Sequence, residues 1–139
     1  MFIPLAFMMA DKMKGNGSDY EIFYNGYLVG RAHGNGCYYK VYKFPATKHS
    51  FVTSEQLKNE TMVGYVIGNG GSYDYYKVDT ELAAYLSTVD EYKHIDKKYK
   101  VGYSTSQGGA KIELYNIHRV LVAKSVGHCN DMEFIINRN

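Results

Sequence analysis

Five histidines, two cysteines and fourteen acidic residues are the groups in this chain able to hold a metal or move a proton. His118, His128 and Cys129 are the candidates for a His-Cys metal cluster, yet no pair of them has a standard zinc-ligand spacing. Cys37 and Cys129 lie far apart and form no CxxC pair, so neither a zinc ribbon nor a dithiol redox motif is indicated. Reduced thiols in a cytosolic chain are the expectation. His33 and His49 fall in or near turns and are expected to face solvent. No Ser-His-Asp or Cys-His grouping is legible from residue order, and acidic pairs such as Asp90-Glu91 suit a solvated surface. Neither a metal nor a cofactor is expected.

The other chemistry open to the chain is contact. A net charge of +2 and a pI near 8.4 neither demand nor oppose a nucleic-acid partner. Period two along Lys98-Tyr99-Lys100-Val101-Gly102-Tyr103 puts Lys98 and Lys100 on one face of a strand, opposite Tyr99, Val101 and Tyr103. Lys111 and Glu113 share a face on the next strand, and Lys93, His94 and Lys97 are close by. With Arg119, the candidate nucleic-acid or partner-binding set is Lys93, Lys97, Lys98, Lys100, Lys111 and Arg119. Glu91, Asp96 and Glu113 dilute its charge, so a solvated face is an equally good account.

The elements that would position these residues are mostly strands. Fifteen tyrosines without a tryptophan favour half-exposed strands, and such tyrosines could stack on bases or anchor a protein. At 139 residues the chain suits one compact domain. Strands are predicted over 20–24, 27–32, 37–43, 62–67, 73–78, 99–104, 111–114 and 132–136, with Asn25-Gly26 as a type I′ hairpin turn. A turn-rich linker covers 14–18. The glycine-rich turns at 33–36 and 68–71 lack any phosphate-binding setting. Three short helices are expected: one from Ser54 to about Asn59, opened by a Thr53/Gln56 capping box and a Val52/Leu57 staple; one over 80–89, with Leu82, Tyr85, Leu86 and Val89 in a stripe; and one from Ile117 to about Val126, between Asn116 and Gly127. The predicted class is α+β: small antiparallel tyrosine-rich sheets with about three short helices, the second half running β-α-β-β-α-β. No internal repeat is apparent. Residues 1–10 are apolar but about half the length that crosses a bilayer, and carry no leading Lys or Arg. An extra strand packed on the sheet, or an upstream extension of a later start, would explain them, and no membrane role is expected.

The stretch from Gly108-Gly109-Ala110-Lys111-Ile112-Glu113-Leu114 through His118-Arg119 to Met132–Asn139 resembles the HNH endonucleases of phages and mobile elements. Tyr76-Lys77-Val78-Asp79 and the helix-like stretch after it resemble the AP2-like sheet that often precedes that motif. The resemblance covers about 66–139, leaving 1–65 as an unrecognised β-rich part. It implies that His118, Asn137 and Asn139 are motif remnants, that His118-Arg119 opens a helix, and that an AP2-like sheet lies against DNA. It also implies that Ile135 stands at the position of the general-base His and Phe134 at that of a metal ligand. Carbon side chains can do neither job.

The expected function is therefore a non-catalytic phage or mobile-element protein derived from an HNH endonuclease. It would bind DNA or a DNA-handling protein in the host cytosol, possible roles including inhibition of a host nuclease as an anti-CRISPR or other anti-defence protein, and a homodimer is plausible. The alternatives are a metal-dependent nicking endonuclease completed by a partner chain, and a structural component of a virion.

Overall fold

The computed structural model describes residues 10–48, 51–68, 71–89, 92–107, 111–128 and 131–136. Their backbone forms one antiparallel meander of ten strands: β1 Lys12–Gly15, β2 Asp19–Tyr24, β3 Tyr27–Gly34, β4 Tyr38–Thr47, β5 Thr61–Gly68, β6 Ser72–Lys77, β7 Lys100–Gln107, β8 Lys111–Asn116, β9 Leu121–His128 and β10 Asp131–Ile136. Each strand pairs with the next, and β1 also pairs with β10 through Lys12↔Glu133, Met13↔Met132 and Lys14↔Asp131. The sheet thereby closes into a barrel, with β1 joining β2 to β10.

The sequence builds this barrel by alternation. Tyr20, Ile22, Ala32, Tyr39, Val41, Tyr73, Tyr75, Ile112, Leu114 and Ala123 point inward and are buried. At four places one strand carries an extra residue relative to its neighbour, and Val29, Val63, Val101 and Val122 stand at those bulges; a further irregularity sets Phe44-Pro45-Ala46 of β4 against Val29. All four valines pack against the inner core. A bulge bends and twists a strand, which is how a flat ladder curls into a barrel.

One end of the barrel carries a repeat that is not apparent from a linear reading of the sequence. Gly15-Asn16-Gly17-Ser18-Asp19-Tyr20, Gly34-Asn35-Gly36-Cys37-Tyr38-Tyr39 and Gly68-Asn69-Gly70-Gly71-Ser72-Tyr73 share the pattern G-N-G-x-x-Y. A Cβ at Gly15, Gly34 or Gly68 would lie 2.4, 2.8 or 2.3 Å from the ring Cδ1 of Tyr20, Tyr39 or Tyr73, so only glycine admits the ring. Gly17 and Gly36 hold φ of 98° and 94°, in the region glycine favours. Asn16 Oδ1 accepts from the amides of Ser18 and Asp19, and Asn35 Oδ1 from those of Cys37 and Tyr38. The tyrosines tie successive turns together: Tyr39 donates to the Gly17 carbonyl at 2.7 Å, and Tyr73 to that of Gly36 at 2.6 Å.

Two helices, α1 Ser54–Lys58 and α2 Thr80–Leu86, occupy connections at the opposite end. Gln56 Oε1 accepts from the Thr53 amide at 2.7 Å, the N3-to-N-cap bond of a capping box, and also from the Thr53 hydroxyl. In α2, Asp79 accepts from Leu82 N at 2.8 Å. This helix lies on the outside of the barrel, where Leu86 joins Met62, Tyr65, Tyr76, Val78 and Ile95 in a second core. Lys40 fixes its far end by donating to the Leu86 and Val89 carbonyls at 2.7 and 2.6 Å.

Three expectations need correction. The fold is a single closed antiparallel β-barrel with two α-helices, not an α+β array with three. The segment predicted as the third helix is a tight turn followed by β9. Asn116 Oδ1 accepts from the amides of His118 and Val120, Arg119 takes φ 65°, and Val120 O accepts from Asn116 N. That geometry reverses the chain instead of starting a helix, and pairing on both sides of β9 outweighs local helix propensity. Within the predicted 14–18 linker, Lys14 and Gly15 belong to β1, the strand that closes the barrel. Strand β5 crosses position 65/66, and strands from both sides of that position belong to one sheet. Residues 1–9 lie outside the described residues.

Candidate binding surfaces

Strand pairing fixes where the candidate cations stand. Lys97 and Lys98 form a 3₁₀ turn that leads into β7 at Lys100, and the Asp96 carboxylate accepts from Lys98 N at 3.0 Å. Because Gly102 pairs with Asn116, Arg119 in the following turn stands at the same end of the barrel. Lys97, Lys98 and Arg119 are exposed. Lys77 closes β6 at this end too, a neighbour that sequence spacing did not reveal. Lys100 holds Asp74 at 3.1 Å and lies 5.7 Å from the centre of the Tyr103 ring. Lys111 pairs with Gln107 at the opposite end of β7, about 23 Å away at ~3.3 Å per residue. Lys93 is exposed on the segment after α2, where Tyr92 N donates to the Tyr65 hydroxyl at 2.9 Å. Four of the six candidates thus share one end, and Lys111 stands at the other.

The predicted opposition of Lys100 to Val101 and Tyr103 holds for only one of the two. Val101 is the bulge residue, since Tyr75 pairs with Gly102 and Tyr76 with Lys100. The extra residue shifts the alternation by one. Val101 turns to the inner core, while Tyr103 shares the outer face with Lys100. Lys98 precedes the strand and has no place in its alternation.

That outer face is the second surface. Helix α2 and the 92–99 segment cover the sheet around β4–β6. Beside this cover, Tyr103 and Tyr115 stack across β7 and β8 with ring centres 5.1 Å apart and planes 12° apart. Lys124 on β9 lies 3.9 Å from Glu113 on β8. Partial desolvation, then the Glu113 carboxylate beside it, raises the Tyr115 hydroxyl above the usual tyrosine range, although the side chain is only partly covered. Ile135 on β10 pairs with Lys124 and is 60% exposed.

A third feature is a groove of about 460 Å³ between β2–β3 and the α1 connection, with Glu21, Arg31, Phe51 and Leu57 in its lining. Arg31 makes a two-pronged ion pair with Glu60, both distances 2.8 Å, and sits 4.5 Å from the Tyr42 ring centre. Glu21 Oε2 is buried without a hydrogen-bond partner, and burial raises its carboxyl pKa against the pull of Lys14.

The remaining candidates are dispersed. His118 is exposed in the β8–β9 turn, and His33 pairs with Asp19 at 2.6 Å near the glycine-turn end. Cys37 is an exposed thiol. His49, Asp90, Glu91, Cys129, Asn137 and Asn139 lie outside the described residues, as do the side chains of His128 and Phe134. Among the described residues no three His, Cys, Asp or Glu side chains converge as a metal site would need. No helix among them is long and apolar enough to cross a membrane. Comparison of the chain with protein-family models, curated proteins and solved structures returns no match.

Proposed function

We propose that this chain is a non-catalytic binding protein that engages nucleic acid through the end of the barrel carrying Lys97, Lys98 and Arg119. The observation that carries this reading is the grouping at one end of cations distant in sequence, with Lys77 beside them. Lysine and arginine release counterions when they meet phosphate, so even a few such contacts give salt-sensitive affinity. Asp79 and Asp96 stand at the same end, but each carboxylate caps a local backbone amide. The likeness of residues 66–139 to AP2-like and HNH proteins favours the same partner class and an origin in a mobile element.

The test is fluorescence anisotropy with labelled duplex DNA across a salt series. The Lys97→Ala/Lys98→Ala/Arg119→Ala variant should bind more weakly and lose up to ~2.7 from the slope of log K against log salt, about 0.9 per phosphate contact. An unchanged slope rejects the proposal. A DNA-handling protein is the second reading, because Ile117 and Val120, 55% and 54% exposed, add apolar area to the same end. It predicts negligible DNA affinity together with protection of plasmid from a nuclease.

A further inference from the structure

The groove between β2–β3 and the α1 connection holds a carboxylate oxygen that no described residue bonds. Glu21 and Arg31 are direct partners across β2 and β3, on the outer face of both strands, where opposite charges commonly meet. Arg31 instead turns toward β4. Its Nε and Nη2 go to Glu60, each at 2.8 Å, and its guanidinium lies over the Tyr42 ring. Lys14, the partner of Glu21 across β1, lowers the Glu21 pKa by its charge but makes no hydrogen bond to Oε2. Asp19, one pleat along β2 and about 7 Å away, adds a second carboxylate to the lining and is paired with His33.

The other wall is apolar. Phe51, Val52 and Leu57 of the α1 connection form it, and Phe51 and Leu57 remain 59% and 45% exposed. A carboxylate short of a partner and an accessible aromatic ring are the two groups that recognise an organic cation, one by a charge-assisted hydrogen bond and one by its π face. The groove volume of about 460 Å³ lies in the range of small-molecule sites.

We propose that this groove binds a small organic amine, its ammonium against the Glu21 carboxylate and its apolar body against Phe51 and Leu57. Because Oε2 forms no hydrogen bond, the carboxylate turns toward the ligand without breaking one at that atom. The ligand supplies the counter-charge that Arg31 spends on Glu60. A phosphate would meet Glu21 and Asp19 as like charges, so this groove is separate from the nucleic-acid surface and either property can fail alone.

An amide NMR titration tests it, with phenethylamine as the probe and 2-phenylethanol as its uncharged counterpart. Phenethylamine should shift the amides of Glu21, Arg31, Phe51 and Leu57 saturably, with a Kd of about a millimolar. The alcohol should bind about tenfold more weakly, and Glu21→Gln should weaken amine binding by about the same factor. Phe51→Ala should weaken it severalfold. Glu21→Gln removes a buried charge and leaves the barrel intact, so its lost affinity cannot come from a folding defect. No saturable shift at millimolar amine, shifts confined to other residues, equal affinity for the alcohol, or a Glu21→Gln variant that binds like the wild type would overturn the proposal. Tighter binding of the peptide Gly-Lys-Gly than of the amine would assign the ammonium to a partner protein and overturn it as well.

Discussion

Two side chains show how single groups shape this barrel, and they act in opposite senses. Tyr39 is almost wholly buried, donates to the Gly17 carbonyl, meets Tyr20 edge-on at 5.8 Å and lies 6.3 Å from Tyr73. Tyr39→Phe keeps the ring but removes the donor and leaves a carbonyl at the turn without it. A loss of about 1 kcal/mol is expected in a denaturant titration, whereas Tyr103→Phe on the outer face should change stability by less than ~0.5 kcal/mol. Equal effects would mean that the hydroxyl ladder contributes nothing. Glu21 is the opposite case. Its raised carboxyl pKa means the folded chain holds the proton more tightly than the unfolded one. Stability is therefore greatest below the ordinary pKa of 4.5 and falls as pH rises through the folded value. Glu21→Gln should stabilise the protein at neutral pH, by about 1 kcal/mol at most because the residue is partly solvated, and should flatten this part of the pH profile. A variant with an unchanged profile between about pH 4 and 7 would show that another group is responsible.

At the scale of elements, the barrel is roofed on one side by α2, and Leu86 is the residue that secures it. It is fully buried against the outer face of β5 and β6. Leu86→Ala should cost ~2–5 kcal/mol by transfer and cavity terms, seen as a melting temperature lower by roughly 5–15 °C. Hydrogen exchange should increase first in α2 and the 92–99 segment, since the inner core does not contain this residue. The eight predicted strands, both α-helix starts and the Asn25-Gly26 turn were legible in the sequence because they depend on local rules: alternation or a short apolar run, capping and positive φ. Strand β1 was hidden, since four residues with one buried methionine carry too little pattern, and β10 supplies half of its pairing. Strand β9 was mistaken for a helix because Val120-Leu121-Val122-Ala123 offers no period-two signal. The cause is Val122, the bulge residue, which puts it and Ala123 on the inside in succession. The same device at Val101 spoiled the facing predicted for Tyr103. The G-N-G-x-x-Y repeat escaped notice because the α1 connection lies between its second and third copies, lengthening the spacing from 19 to 34 residues. Of the candidate surface, residue types were legible, but which cations share an end depended on strand register.

For the molecule as a whole, the inner core depends on phenols instead of purely aliphatic packing. Tyr20, Tyr39, Tyr73 and Tyr75 occupy its interior, and Tyr75 reaches the buried Ser104 hydroxyl at 3.2 Å. A barrel lined with phenols carries a liability at high pH that an aliphatic one would not. Inside the barrel, burial is the first cause raising the Tyr39 hydroxyl pKa and neighbouring tyrosines raise it further, while outside it desolvation also raises Tyr42 and Tyr76 in the outer core and Tyr115 on the partly exposed face. In the unfolded chain these groups ionise near pH 10. The folded state keeps their protons at a pH where the unfolded state has released them, so stability is complete below about pH 10 and declines above it. Because the meander closes on itself, ionisation at one inward tyrosine should undo the entire sheet in a single step. Denaturant midpoints should hold steady from about pH 8 to 9.5, then fall steeply toward pH 11, with tyrosinate absorbance at 295 nm rising in the same transition. Tyr39→Phe, although less stable at pH 8, should show a shallower decline at high pH, since the most strongly shifted of these phenols is gone. Tyrosinate absorbance that rises well before the midpoint falls would mean the interior phenols ionise inside an intact barrel, and burial would then not be what holds their protons.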